Sequence, residues 1–238
     1  MKLFFRRTVF TALTVFCAGL ASAHAAQAPE LDARIHQATL VLKEIMNSPD
    51  QSIPEELLAK CKAIAIYPDV LKGGFIFGAR FGKGVVIAKD ATGNWGPSAF
   101  STIGGGSWGL QIGAQATDLI FVVMNERGLD GLLSSKFTMG ADVSVAAGPV
   151  GRNTQAATDL SLKAGILSYS RSRGLFGGMA LDGSIVTQDN DSNTAYYGKY
   201  VTSRDVLTGG AVTAQPSSKE LVDALGEYAG RWANRAQK

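Results

Sequence analysis

The sequence predicts an α+β fold, a curled or barrel-like antiparallel β-sheet with N- and C-terminal helices packed on it. Three observations carry this. Long stretches alternate with period two, one face apolar and the other small or polar. Glycines recur on the small face, which signals strong curvature or close backbone approach. Amphipathic helical stretches stand at both ends of the chain.

The elements follow in order. Leu31, Ile35, Ala38, Leu42 and Ile45 recur at helical spacing and predict a helix over 30–47, stopped by Ser48-Pro49-Asp50. Ser52 with Glu55 reads as a capping box for a second short helix with Pro54 in its first turn. Ala63 to Tyr67 is a short strand ended by Pro68-Asp69. Gly74 to Phe81 alternates, Gly82-Lys83-Gly84 reads as a tight hairpin, and Val85 to Lys89 returns. Gly106–Gln115 and Lys136–Ala147 alternate likewise; Thr117–Met124 is apolar and ambiguous, and Glu126–Ser134 reads as a helix. After a loop over 148–158 come strands over 160–170 and 176–187, joined by Arg171-Ser172-Arg173-Gly174. Two helices close the chain, over 203–208 and 218–234, the second capped by Ser217 with Glu220. No composition break divides residues 24–238, which read as one domain.

The first 23 residues read as a secretory signal peptide. Lys2, Arg6 and Arg7 form a basic start, Thr8 to Leu20 is apolar, and Ala21-Ser22-Ala23 is a small-x-small cleavage site. The apolar run is shorter than the ~20 residues a membrane anchor needs. Cys17 raises the alternative of a lipoprotein, against which Phe16 stands where processing favours a small residue. The expected location is the periplasm or an outer-membrane-associated state. The full chain carries 23 Lys and Arg against 20 Asp and Glu, and all three excess positives lie in this leader. The remainder is neutral, which argues against nucleic acid as a partner. Cys61 is then the sole cysteine, so an intrachain disulfide is excluded and a buried, inert thiol is expected.

Several motifs invite a catalytic reading and fail it. Gly105-Gly106-Ser107-Trp108-Gly109 matches the G-x-S-x-G nucleophile pattern. That pattern needs a strand-to-helix elbow and a later histidine, but His24 and His36 both lie upstream and the following residues alternate as a strand. Gly104, Gly106 and Gly109 match a dinucleotide fingerprint that also needs a following helix. Asp189-Asn190-Asp191-Ser192-Asn193 resembles the start of a calcium loop, but Thr194 and Tyr200 stand where Gly and Glu belong, so a polar turn is expected. No enzyme activity, metal or cofactor is expected.

Charge distribution remains. Residues 60–89 carry Lys60, Lys62, Lys72, Arg80, Lys83 and Lys89 against Asp69 alone. Basic residues beside apolar strands suit a phosphate-bearing, apolar-tailed ligand, whereas the alternative is a solvated face that keeps strand edges from pairing. The candidate lipid-binding residues are Lys72, Arg80, Lys83, Arg171 and Arg173, with Trp108 and Phe176 as apolar contacts. Reversing the charge of Arg171 and Arg173 is expected to weaken vesicle binding and leave folding almost unchanged.

Ala63-Ile64-Ala65-Ile66-Tyr67-Pro68, the run Gly73 to Gly84, Trp95-Gly96-Pro97-Ser98-Ala99-Phe100, Gly109-Leu110-Gln111-Ile112-Gly113, the run Tyr169 to Gly178, Leu181-Asp182-Gly183-Ser184 and Ala195-Tyr196-Tyr197-Gly198 stand in one order. Together they resemble the SYLF domain, over about residues 50–215. The resemblance implies binding of phospholipid or phosphoinositide head groups without catalysis. Some eukaryotic members also bind actin, which is not expected of a chain with an export signal. The resulting reading is a non-catalytic phospholipid-binding protein of the bacterial cell envelope. The alternatives are a structural envelope protein assembling through sheet edges and, more weakly supported by the strand pattern, a small outer-membrane barrel.

Overall fold

The computed structural model describes residues 28–48, 52–74, 77–108, 113–151, 164–172, 175–179 and 181–236, with backbone alone at 74, 77–78, 107–108 and 113–115. The expected signal peptide lies outside the described residues. Four long strands, β1 (Ala63–Gly74), β2 (Phe77–Lys89), β3 (Trp95–Trp108) and β4 (Gly113–Val123), form the centre of one sheet. Five short strands extend it: β5 (Lys136–Thr138), β6 (Val145–Ala147), β7 (Ile166–Ser172), β8 (Leu175–Gly178) and β9 (Ile185–Gln188). The order is β5-β9-β3-β2-β1-β4-β7-β6, with β8 pairing β7 beyond β6. The sheet curls into a half-barrel. It is mixed, because β6 runs parallel to β7 while the other strand pairs are antiparallel.

The helices are α1 (residues 28–46), α2 (Glu55–Lys60), α3 (Glu126–Leu132), α4 (Asn190–Tyr197), α5 (Ser203–Leu207) and α6 (Lys219–Ala236). At one end of the long strands both faces of the sheet are covered. Ile64, Ile66, Val85, Ile87, Ile120 and Val122 pack with Ile35 and Leu42 of α1, Leu57 of α2 and Leu225 of α6. Their neighbours in sequence, Ala63, Ala65, Tyr67, Val86, Phe121 and Val123, pack with Leu129 of α3, Phe137 of β5 and Val206 of α5. Each fully buried aliphatic side chain contributes roughly 1.5–3 kcal/mol. The apolar runs Ala63–Tyr67 and Leu119–Val123 are therefore strands buried on both faces. The expected division into apolar and small faces does not hold at this end of the strands.

Several expected boundaries move, each for a local reason. The strand at Ala63 does not stop at Pro68-Asp69. β1 continues through a bulge between Tyr67 and Val70, where Asp69 takes φ 49° and its N–H donates to Asp118 Oδ1 at 3.0 Å. Gly82 and Gly84 form no hairpin; they lie inside β2 and clear space. A Cβ on Gly82 would sit 2.6 Å from Val70 Cγ2, and one on Gly84 would sit 2.4 Å from Tyr67 Cδ1. The stretch 136–147 is two strands, broken where Gly140 adopts φ 85°. The stretch 176–187 is likewise split into β8 and β9 around Gly183, φ 77°. The polar run at 189–193 is a helix start, with the Asp189 carboxylate accepting the Ser192 N–H at 3.1 Å. Pro54 rather than Ser52 caps α2, and a 3-10 turn over Pro216–Ser218 precedes α6 in place of the Ser217 cap.

Candidate functional site

The central strands run past the covered part of the sheet, and among the described residues Leu71, Gly73, Ala79, Phe81 and Ala116 are exposed at this end. Lys72 of β1 lies directly opposite Arg80 of β2. On their face Val70, Lys72, Arg80, Thr117, Leu119, Ser170, Ser172 and Met179 line a cavity of about 140 Å³. The lining comes from β2, β1, β4 and β7 in their spatial order, with Met179 just past β8, so the fold gathers residues spread over more than a hundred positions. Arg80 Nη1 donates to Ser184 Oγ at 2.8 Å. Burial pulls the Arg80 guanidinium below its ordinary pKa. Among the described residues neither Lys72 nor Arg80 is within ion-pair distance of a carboxylate. Two like charges directly opposite each other destabilise a sheet. Here they are kept beside hydroxyl groups, an arrangement suited to an anion with several oxygens.

The other candidate residues separate into different environments. Lys83 points to the opposite face, 3.6 Å from Glu30 of α1. Arg171 does not stand free at a turn; it lies within β7, donates from Nε to Asp118 Oδ2 at 2.9 Å, and pairs with Glu44 of α1. The expectation that reversing its charge leaves folding untouched is corrected, because the reversed side chain would face two acids. Arg173 lies outside the described residues. Phe176 is half-buried and stacks on Tyr169, with centroids 5.5 Å apart and planes at 5°. Trp108 ends β3 opposite Phe77, and its side chain lies outside the description. Ser107 pairs with Gly78 within β3, so the Ser of the G-x-S-x-G match sits in a strand rather than at an elbow.

Leu71 and Phe81 are features that the sequence reading passed over. They are 61% and 55% exposed and lie opposite each other across β1 and β2. The signal was present: along one face of β2 the order Ile87, Val85, Lys83, Phe81 interrupts an apolar run with a lysine, marking where the covered core ends.

A larger cavity of about 350 Å³ lies among α1, α2 and α6, lined by Glu55, Glu56, Trp232 and Arg235 among others. Its described charged side chains pair with one another or with a neighbour, Arg235 with Glu55 and the neighbouring Lys60 with Glu56. Cys61 is buried, and its thiol donates to the Leu58 carbonyl at 3.3 Å.

The chain is thus a helix-flanked half-barrel sheet with glycine-cleared central strands. Residues 104–228 match the family described as Ysc84, Las17-binding protein actin regulator, and the chain belongs to that family. The human SH3 domain-containing YSC84-like protein 1 is 32% identical over 216 residues, covering 87% of this chain and 62% of the relative. Protein YSC84 of Saccharomyces cerevisiae is 36% identical over 180 residues, covering 74% of this chain and 38% of the relative. LAS seventeen-binding protein 3 of the same yeast is 36% identical over 164 residues, covering 67% of this chain and 35% of the relative. The chain thus matches less than two thirds of each of these relatives.

Proposed function

We propose that this protein is a non-catalytic phospholipid-binding module of the cell envelope, which holds anionic head groups at the Lys72–Arg80 cavity. The observation that carries the reading is the cross-strand pair of cations beside the hydroxyls of Thr117, Ser170 and Ser184, with no carboxylate among the described residues within ion-pair distance. Lys83 adds positive charge on the other face of the same strand. Arg171 serves mainly to tie β7 to α1. The actin regulation in the family's description is not carried over to this chain, because residues 1–23 read as an export signal.

The test is co-sedimentation with phosphatidylcholine vesicles with and without phosphatidylglycerol, across a salt series. Each Lys or Arg near an anionic surface contributes about 1 kcal/mol. Lys72→Gln with Arg80→Gln should therefore weaken binding to the anionic vesicles by more than about tenfold at low salt. Equal binding of wild type and variant at every salt concentration would remove this site. No binding by wild type would favour a structural protein assembling through sheet edges. Mass spectrometry of the exported protein should find an N-terminus near residue 24; an intact leader would contradict the envelope assignment.

A further inference from the structure

The cationic cavity accounts for one face of the projecting strand ends and leaves the other unexplained. On that other face Leu71 and Phe81 form an exposed cross-strand pair. Around them Gly73, Ala79 and Ala116 are also exposed, and a Cβ built on Gly73 would meet nothing within 4 Å. Further along the same face α1 covers the sheet, held by Lys83 to Glu30 and by Arg171 to Glu44. On this face Leu71 and Phe81 are exposed, while α1 packs over the residues further along. Successive residues of a strand point to opposite faces. Leu71 and Phe81 thus stand one residue from Lys72 and Arg80, at the same height along β1 and β2.

We propose that this end of the sheet enters an anionic bilayer edge-on, with Leu71 and Phe81 in the acyl boundary and Lys72 and Arg80 at the depth of the phosphates. The inference rests on the lipid-binding reading and adds the surface and orientation of contact. Apolar groups at this boundary gain from leaving water, while long basic side chains bend toward head groups. Charge selects the occupant. A second copy docked on Leu71 and Phe81 would leave Lys72 and Arg80, on the opposite face, without an anion, whereas a bilayer entered edge-on meets both faces at once. A free phosphate would use the cationic face alone and leave Leu71 and Phe81 in water.

The test uses the processed protein with Phe81→Cys carrying an environment-sensitive nitrobenzoxadiazole label, Cys61 being buried. On phosphatidylglycerol-containing vesicles the label should shift to the blue and be quenched by spin-labelled acyl chains. Leu71→Gln with Phe81→Gln should weaken vesicle binding by at least about tenfold and leave its salt dependence in place. A label that stays in water, with the Gln variant binding like wild type, overturns edge-on entry and leaves head-group binding standing. Soluble glycerophosphoglycerol bound as tightly as vesicles also overturns it. So does a Gln variant that loses only self-association in sedimentation, which would assign the pair to a contact between copies. Wild-type protein that binds no vesicle overturns both this inference and the reading beneath it.

Discussion

Arg171 and Asp118 lie opposite each other across β7 and β4, with Nη2 2.8 Å from Oδ2. The other oxygen of Asp118 accepts the N–H of Asp69 in the β1 bulge, and Arg171 also reaches Glu44 of α1. One partly buried carboxylate thus joins the bulge, the strand beside it and, through Arg171, the N-terminal helix. Removing one member of such a pair leaves the other's charge unmatched. Arg171→Ala should lower stability by about 1–3 kcal/mol, between the values for exposed and buried pairs. Urea denaturation measures it, and a loss within about 0.5 kcal/mol would class Arg171 as an ordinary surface residue.

The bulge makes its own demand. Asp69 adopts φ 49°, a conformation open to Asp, Asn and Gly and costly for β-branched residues. Asp69→Gly should change stability little, whereas Asp69→Val should cost about 1–2 kcal/mol. Equal midpoints for the two variants in denaturant would show that the backbone there relaxes freely.

Gly84 is a clearance site. Its missing side chain admits the ring of Tyr67, whose hydroxyl is 2.8 Å from that of Ser101. The Ile66 carbonyl would also lie 2.6 Å from an added Cβ, so neighbouring backbone blocks relief. Gly84→Ala should destabilise by about 1–3 kcal/mol through overpacking. Gly73→Ala, which meets open space, should fall within about 0.5 kcal/mol of wild type. Thermal melts of the pair compare the two directly.

Alkaline pH should unfold the protein from its core. Burial pushes the Cys61 thiol up from 9.0 to about 11. Burial also pushes the phenols of Tyr67, Tyr169 and Tyr197 well above their ordinary 10.0. Each group ionises earlier in the unfolded chain. Its contribution is complete below the unfolded value and is lost as pH rises through the window toward the folded value. Stability should therefore fall above pH 9, by as much as about 1.4 kcal/mol per pH unit for each group titrating only when unfolded. Cys61→Ala should flatten the onset nearest pH 9. Denaturation midpoints that stay constant from pH 8 to about pH 11 would contradict the burial assigned to these groups.

Sequence periodicity located α1, α3, α5 and α6 within a few residues, because a helix that covers a core repeats its apolar face every 3.6 residues. It also selected Lys72 and Arg80, through a basic run with Asp69 as its lone acid. It misjudged Gly82 and Gly84, since a glycine that turns the chain and one that makes room for Tyr67 look alike in sequence. It treated Arg171 as free because its partners, Asp118 and Glu44, are 53 and 127 residues away.

Composition and alternation by themselves determined a helix-flanked curled sheet and a concentration of positive charge near the second strand. Alternation states that neighbouring residues face opposite ways; it does not state what lies over either face. Only the tertiary structure decided that both faces are covered at one end of β1–β4 and neither is fully covered at the other. The reason is that cover and ion pairing come from long-range contacts, with α1 and α6 reaching one face and α3 and α5 the other. At the open end the same packing left Lys72 and Arg80 without an acid among the described residues on one face and Leu71 and Phe81 in solvent on the other.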